Sequence, residues 1–514
     1  MSSCGNPDSS EADALMPRRL KYGRSRDCVR CREKPGNIVI RHAVYCRDCF
    51  SPLVTLKFRK ALQPSINASA GTSKRPRLKA DGNLLMAFSG GLGSSLLLDI
   101  VHRIYFSNES VLNENEEPVG GKNHPRNADV WPSATVCYVE VCNAFPGMRD
   151  STEELRTVVS QYPCFEYVAT RIEDAFDRSW WLRVGGLPSF SQLSVDIGNP
   201  TSCDLSIISA LFTPAERSPT DCLLAYLSSL PTQTAISTAI QTFIRILTLY
   251  TARSRGASHL LLGTSLTSLS ISLISSISQG GGYTTREELQ EEWTQSGIGS
   301  TEIAPTIRIV RPLRDVTMKE CAAYARWNNI TVVGKQRVPA TTQGIHSLTK
   351  DFIVGLEKDY PSTVSTIART CAKLAPKDAP KGSCLLCQRP MQHDIQEWKN
   401  RISIRSFGEA KLASDLHTPP NPHNNMPPPP LSSQSIDQTL SLTPHLCYSC
   451  HTTLTSRSSR GLKSTGSLPV PLPVWVSPPL LDSARVVNPD EDRGEVFQNR
   501  QPMRDAIAEY LLES

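Results

Sequence analysis

Between residues 83 and about 335, short apolar runs alternate with longer stretches whose apolar positions recur at helical spacing. Runs at 84–88, 136–141, 167–172, 260–262 and 307–310 predict strands, and 94–105, 150–160, 232–252, 266–278 and 317–328 predict helices. Strand–helix alternation of this kind predicts an α/β fold, a parallel sheet with crossover helices. Thr317 and Glu320 have the capping-box spacing that fixes a helix start. Two segments break the pattern: 107–128 reads as a surface loop and 178–220 as an insertion.

The flanks differ in character. Residues 1–26 read as a disordered N-terminus, 27–50 as a compact cysteine module, 51–82 as a basic connector and 83–335 as the core. Beyond it, 336–383 reads as a helical extension and 384–460 as a second cysteine module with a low-complexity insert at 414–444. The last segment, 461–514, is Pro-rich and ends in an amphipathic stretch over 503–512.

Charge sharpens this division. The net charge of +6 over 514 residues conceals a first 80 residues with 17 Lys/Arg against 6 Asp/Glu. Clusters such as Arg18-Arg19-Leu20-Lys21, Lys57-Phe58-Arg59-Lys60 and Lys74-Arg75-Pro76-Arg77 suit contact with phosphates. The last of these reads equally well as a solvated tail or a nuclear localisation signal. The uncharged stretches 222–244 and 256–285 are too rich in Ser, Thr and Gln to read as membrane spans. With no apolar leader in the first 27 residues and 16 cysteines, the expected setting is a reducing one, the cytosol.

Two kinds of motif carry chemistry. The first is Ser89-Gly90-Gly91-Leu92-Gly93-Ser94-Ser95 between a predicted strand and helix. Glycines let backbone approach a phosphate, and a helix N-terminus with neighbouring hydroxyls offers donors to it. Ser89, Gly90, Gly91, Gly93, Ser94 and Ser95 are therefore the candidate anion or nucleotide site. Tight turn geometry alone also asks for glycine here.

The second kind is the paired cysteine. Cys28, Cys31, Cys46 and Cys49 are spaced C-x2-C-x14-C-x2-C, which suits a tetrahedral structural Zn²⁺, and Cys384, Cys387, Cys447 and Cys450 form a second such set. A long intervening loop adds closure entropy only slowly, so the insert does not forbid a shared ion. Cys137, Cys142, Cys164, Cys203, Cys222, Cys321 and Cys371 read as ordinary buried cysteines.

The loop resembles the PP-loop of ATP pyrophosphatases, SGGxDSxxL, with Gly93 where that pattern has Asp. A later GHNxDDxxET-like motif of thiolating relatives corresponds to Leu262-Gly263-Thr264-Ser265-Leu266-Thr267-Ser268, where hydroxyls stand in place of the acids. Arg311-Pro312-Leu313 resembles the segment that closes such cores. Together with the cysteine modules and the closing MRDAIAEYLLES, these motifs resemble the second subunit family of the cytoplasmic tRNA 2-thiolation complex.

That resemblance implies a PP-loop fold without catalytic residues of its own, flanked by zinc-ribbon-like modules. It implies a heterodimer with an active PP-loop adenylating subunit. Its substrate would be the wobble uridine of the tRNAs for Lys, Glu and Gln, and its sulfur source a thiocarboxylated ubiquitin-like carrier. The two missing acids argue against ATP–Mg²⁺ chemistry in this chain. An active ATP-dependent tRNA sulfurtransferase, or a zinc-ribbon RNA-binding scaffold unrelated to thiolation, are the other readings.

Overall fold

The computed structural model describes residues 27–41, 43–66, 82–107, 130–186, 193–197, 205–209, 217–289, 291–294, 306–334, 344–374, 380–395, 397–399, 441–456 and 469–476. The expected disordered N-terminus, the basic clusters at 18–21 and 74–77, most of the 414–444 insert, Cys203 and the 503–512 segment lie outside these residues.

In chain order the elements begin with β1 (Ile38–Ile40), β2 (Ala43–Tyr45), α1 (Arg47–Ile66), β3 (Asn83–Ala87), α2 (Leu92–Val101), β4 (Ala134–Glu140), α3 (Thr152–Val159), β5 (Phe165–Arg171) and α4 (Arg178–Arg183). Then come β6 (Leu193–Val195), β7 (Ile207–Ser209), α5 (Pro219–Ser229), α6 (Gln233–Ser254), β8 (Ala257–Leu262), α7 (Leu266–Ser278), β9 (Glu291–Trp293) and β10 (Ile307–Val310). The chain continues through α8 (Met318–Trp327), α9 (Ile345–Asp359), α10 (Thr363–Leu374), β11 (Gly382–Ser383), β12 (Pro390–Met391), α11 (Tyr448–Thr455) and β13 (Val470–Pro471).

The five predicted strands and an unpredicted one, β9, form one sheet of order β5-β4-β3-β8-β10-β9, parallel except for the edge strand β9. All seven residues of β4 are buried, as they must be in a strand covered on both faces, whereas edge strand β5 is only partly buried, with Glu166, Ala169 and Arg171 exposed. Leu84 and Met86 of β3 pack with α1, α2 and α8, while Leu85 packs with α5, α6 and the C-terminal cysteines. Since neighbouring strand residues point to opposite faces, these two cores lie on opposite sides of the sheet. The chain leaves β3 toward β4 on one side and later returns to β8 on the other, so the carboxyl ends of β3 and β8 flank a switch point, where α/β sheets bind ligands.

Three expectations change. Residues 51–66 of the expected connector are helix, because Phe50, Val54, Phe58, Leu62 and Ile66 recur every fourth residue and bury one continuous stripe. The helix expected at 94–105 starts at Leu92 and gives way after Val101 to a π-turn over His102–Phe106. The presumed insertion at 178–220 also carries structure: its strands β6 and β7 pair with β13 from the Pro-rich segment. No helix among the described residues is long and apolar enough to cross a membrane.

Candidate nucleotide cleft and cysteine centres

The glycine-rich turn sits at the switch point between β3 and α2. Gly90 adopts φ +66°, a left-handed conformation that glycine takes without strain. Gly91 precedes α2 with no side-chain cap, so the first N–H groups of that helix face the turn without a capping side chain. The hydroxyls are less available. Ser94 Oγ donates to the Gly91 carbonyl at 2.9 Å and accepts the Ser89 N–H at 3.3 Å, which spends it on holding the turn. Ser95 Oγ is buried with no hydrogen-bond partner among the described residues.

Gly93 decides what the turn can do. A Cβ placed there would lie 2.0 Å from the carbonyl oxygen of Gly263, and one on Gly263 would lie 2.5 Å from the Ser94 nitrogen. The end of β8 therefore packs backbone to backbone against the start of α2. No side chain, and so no carboxylate, fits at 93 unless main chain moves. From the other side the segment after α8 covers the turn, with the Val333 and Gly334 N–H groups donating to the Gly90 carbonyl at 3.1 and 3.2 Å.

Beside the turn opens a cleft of about 1680 Å³. The N-termini of α2, α7 and α8 reach it through Leu92, Thr267 and Met318, and the β1–β2 hairpin adds Arg41. Lys319, Lys350 and Lys358 bring positive charge; Glu320, Glu357 and Asp359 bring negative. Ser265 and Thr317 cap α7 and α8 through the Ser268 and Glu320 N–H groups, and Glu320 completes the expected capping box.

A carboxylate does stand where the second motif lost its acids, supplied from elsewhere. Thr267 Oγ1 donates to both oxygens of Glu357, at 2.9 and 3.2 Å, and accepts the Met318 N–H at 3.0 Å. Burial pushes the Glu357 carboxyl above its ordinary range, helped by nearby Glu320 and opposed by the Thr267 hydroxyl. The sequence carries no signal for this pairing, because 90 residues separate the partners. With no acid possible at 93, none at 267 or 268, and Ser94 spent on the turn, the acids of the two resembled motifs are absent from this chain, and Glu357 is the carboxylate that stands beside Thr267.

The cysteines gather as two groups of four, in each of which the sulfurs all lie within 4.8 Å of one another. Four thiolates so placed fit a tetrahedral divalent cation. In the N-terminal group, Cys28 and Cys46 are buried while Cys31 and Cys49 are partly open to solvent. Burial opposes ionisation of Cys28, but the backbone N–H groups of Cys46, Cys31 and Arg30 outweigh it and hold the thiol at about 6. In the C-terminal group all four are buried, and Cys387 is held well below the usual thiol range by hydrogen bonds from Cys384, Cys447 and Cys450.

Next to that group lies a charge network. Arg245 pairs with Glu291 and donates to the Cys387 carbonyl, Arg389 reaches Glu288 at 2.6 Å and Glu291 at 3.4 Å, and Arg311 lies 3.6 Å from Glu288. A third cluster, Glu140 with Cys142 and Asp150, is structural. Glu140 already accepts the N–H groups of Val141, Cys142 and Ser151 and the Tyr138 hydroxyl. Of the cysteines expected to be buried, Cys137, Cys222, Cys321 and Cys371 are, whereas Cys142 is half-buried and Cys164 is exposed just ahead of edge strand β5.

Residues 344–452, from the N-cap of α9 into α11, match the family model described as cytoplasmic tRNA 2-thiolation protein 2. Relatives of that name match over 71% to 100% of the chain. The human protein is 26% identical over 88% of this chain and 90% of its own, and the rat protein 27% identical over 100% and 95%. The chain is similar to this family along most of its length. Among solved structures, a U34-tRNA thiolase from Methanococcus maripaludis with a [4Fe-4S] cluster is 16% identical, covering 68% of this chain and 88% of its own with a TM-score of 0.41. The stretch matched by the family model includes Glu357 and all four C-terminal cysteines, but neither the glycine-rich turn nor the N-terminal cysteines.

Proposed function

We propose that this chain is the non-catalytic member of a cytoplasmic heterodimer that 2-thiolates the wobble uridine of the tRNAs for lysine, glutamate and glutamine. An intact PP-loop subunit would adenylate the uridine and use sulfur from a thiocarboxylated ubiquitin-like carrier. The relatives' name supports the pathway and the compartment. The observation that carries the non-catalytic role is the backbone contact of Gly93 with Gly263, which leaves no room for an acid in the phosphate turn.

In this reading both cysteine groups hold Zn²⁺ as folding centres. The N-terminal one would present a basic surface to tRNA, since residues 27–66 carry eight Lys/Arg against three Asp/Glu. Two experiments test the proposal. Cells lacking the chain should lose the mercury-gel shift of thiolated tRNA, and retention of the shift would remove any role in thiolation. The purified chain alone should give no ATP–pyrophosphate exchange, and exchange above background would make it an active sulfurtransferase instead.

A further inference from the structure

The cleft is built to attract an anion, and the chain supplies one itself. Helix N-termini carry partial positive charge, and those of α7 and α8, capped by Ser265 and Thr317, meet where the Met318 N–H donates to Thr267 in the cleft. The Glu357 carboxylate, from the last turn of α9, rests on the Thr267 hydroxyl at that meeting point, with Lys319 as its nearby cation. It thus stands one turn beyond Gly263, whose backbone abuts the glycine-rich turn.

A polyphosphate laid from the open N-terminus of α2 toward α7 would meet this carboxylate. Like charges brought together in a partly desolvated cleft cost several kcal/mol. We propose that Glu357 is a built-in occupant of the cleft, a carboxylate that takes the anion position at the α7–α8 junction and so excludes polyphosphates from this chain. This deepens the non-catalytic reading by naming the group that keeps the cleft closed to such ligands, and it is tested by binding rather than by turnover.

The test is calorimetric titration of the full-length protein with inorganic pyrophosphate. Glu357→Gln keeps the shape and the hydrogen bond from Thr267 but removes the charge, and should bind at least about tenfold more tightly than the unchanged chain. Asp359→Asn removes a charge at the mouth of the same cleft without touching Thr267, and should stay within about twofold. Equal affinity of Glu357→Gln and the unchanged chain would overturn the proposal. So would an equal gain in Asp359→Asn, which would make the effect one of general charge. Glu357→Ala, read the same way, keeps the test decisive if glutamine is not tolerated at the site. Absence of ATP–pyrophosphate exchange is expected in every variant, so failure here and failure of the non-catalytic reading give different signals.

Discussion

The two cysteine centres use one local device in two unlike settings. In each, the first CxxC closes a turn with a backbone bond four residues on, Arg32 N–H to Cys28 at 2.8 Å and Gln388 N–H to Cys384 at 2.7 Å. In each, that next residue is left-handed, with φ +60° at Arg32 and +53° at Gln388. In each, the second CxxC opens a helix: Cys46 directly precedes α1 and Cys447 caps α11. The difference lies in what surrounds them. The N-terminal centre is half open and joins the core through α1 on one face of the sheet, whereas the C-terminal one is built into the hydrophobic core on the other face, against buried arginines and glutamates. The same knuckle is an appended clip in one place and part of the interior in the other.

The strongest way to break that contrast is to remove one ligand from each centre. A structural tetrathiolate site supplies about 10–16 kcal/mol in small peptides, as much as a whole domain's stability. Cys450→Ser should therefore lower the melting temperature of the entire core or leave the protein insoluble. Cys49→Ser should raise hydrogen exchange in residues 27–66 while β3, β4 and β8 stay protected. Equal, local effects from both would refute the distinction.

Next in size is the charge network. Glu288 is mostly buried and accepts from Arg389 and Arg311; Gln in its place leaves three arginines with Glu291 as the remaining carboxylate of the network. Breaking a buried ion pair on one side costs about 3–5 kcal/mol, so Glu288→Gln should show a loss of that order in urea unfolding. Its acid limb carries a separate signature. Burial works against ionisation of Glu288, but Arg389 and then Arg311 outweigh it and hold the carboxyl at about 2. A carboxyl depressed in the folded state contributes stability above its ordinary value near 4.5 and loses it as pH falls toward 2. The unchanged chain should weaken across that interval more steeply than Glu288→Gln, and parallel acid limbs would show that the network does not set the acid response.

The seam between clip and core comes third. Lys57 of α1 donates at 2.5 Å to Glu320, a buried carboxylate that also accepts the Thr317 N–H at 2.7 Å. Removing one partner of a hydrogen bond to a buried charged group costs about 1–3 kcal/mol. Lys57→Met should loosen α1, seen as faster exchange over 43–66, with little change in the C-terminal core. Loosening of both would mean that the two faces are coupled through the sheet.

What the sequence discloses follows the range of the interaction. The strands, the α8 capping box and each CxxC pair are short-range patterns, and the pairs meet in fours as expected from the sequence. Helix α1 was equally legible in its every-fourth-residue stripe, but the basic residues along it favoured a connector. What sequence could not disclose are contacts across long separations: Gly93 on Gly263, Glu357 on Thr267, and Arg389 on Glu288. The missing Asp at 93 was visible in one dimension. Only the fold adds that no side chain could be restored there without moving the end of β8.

The smallest effect marks the other end of the contrast. Lys34 and Asp48 pair at 2.7 Å on the surface of the N-terminal centre, with side chains 60% and 65% exposed, so water screens what the Arg389–Glu288 pair feels almost in full. The pairing raises the lysine and lowers the aspartate, yet it orders a long lysine side chain for little gain. Lys34→Ala should leave the melting temperature unchanged within error, at low and high salt alike. A clear loss that salt abolishes would show that the open centre depends on its charges as the buried one does, and the division between clip and core would then rest on burial of the sulfurs alone.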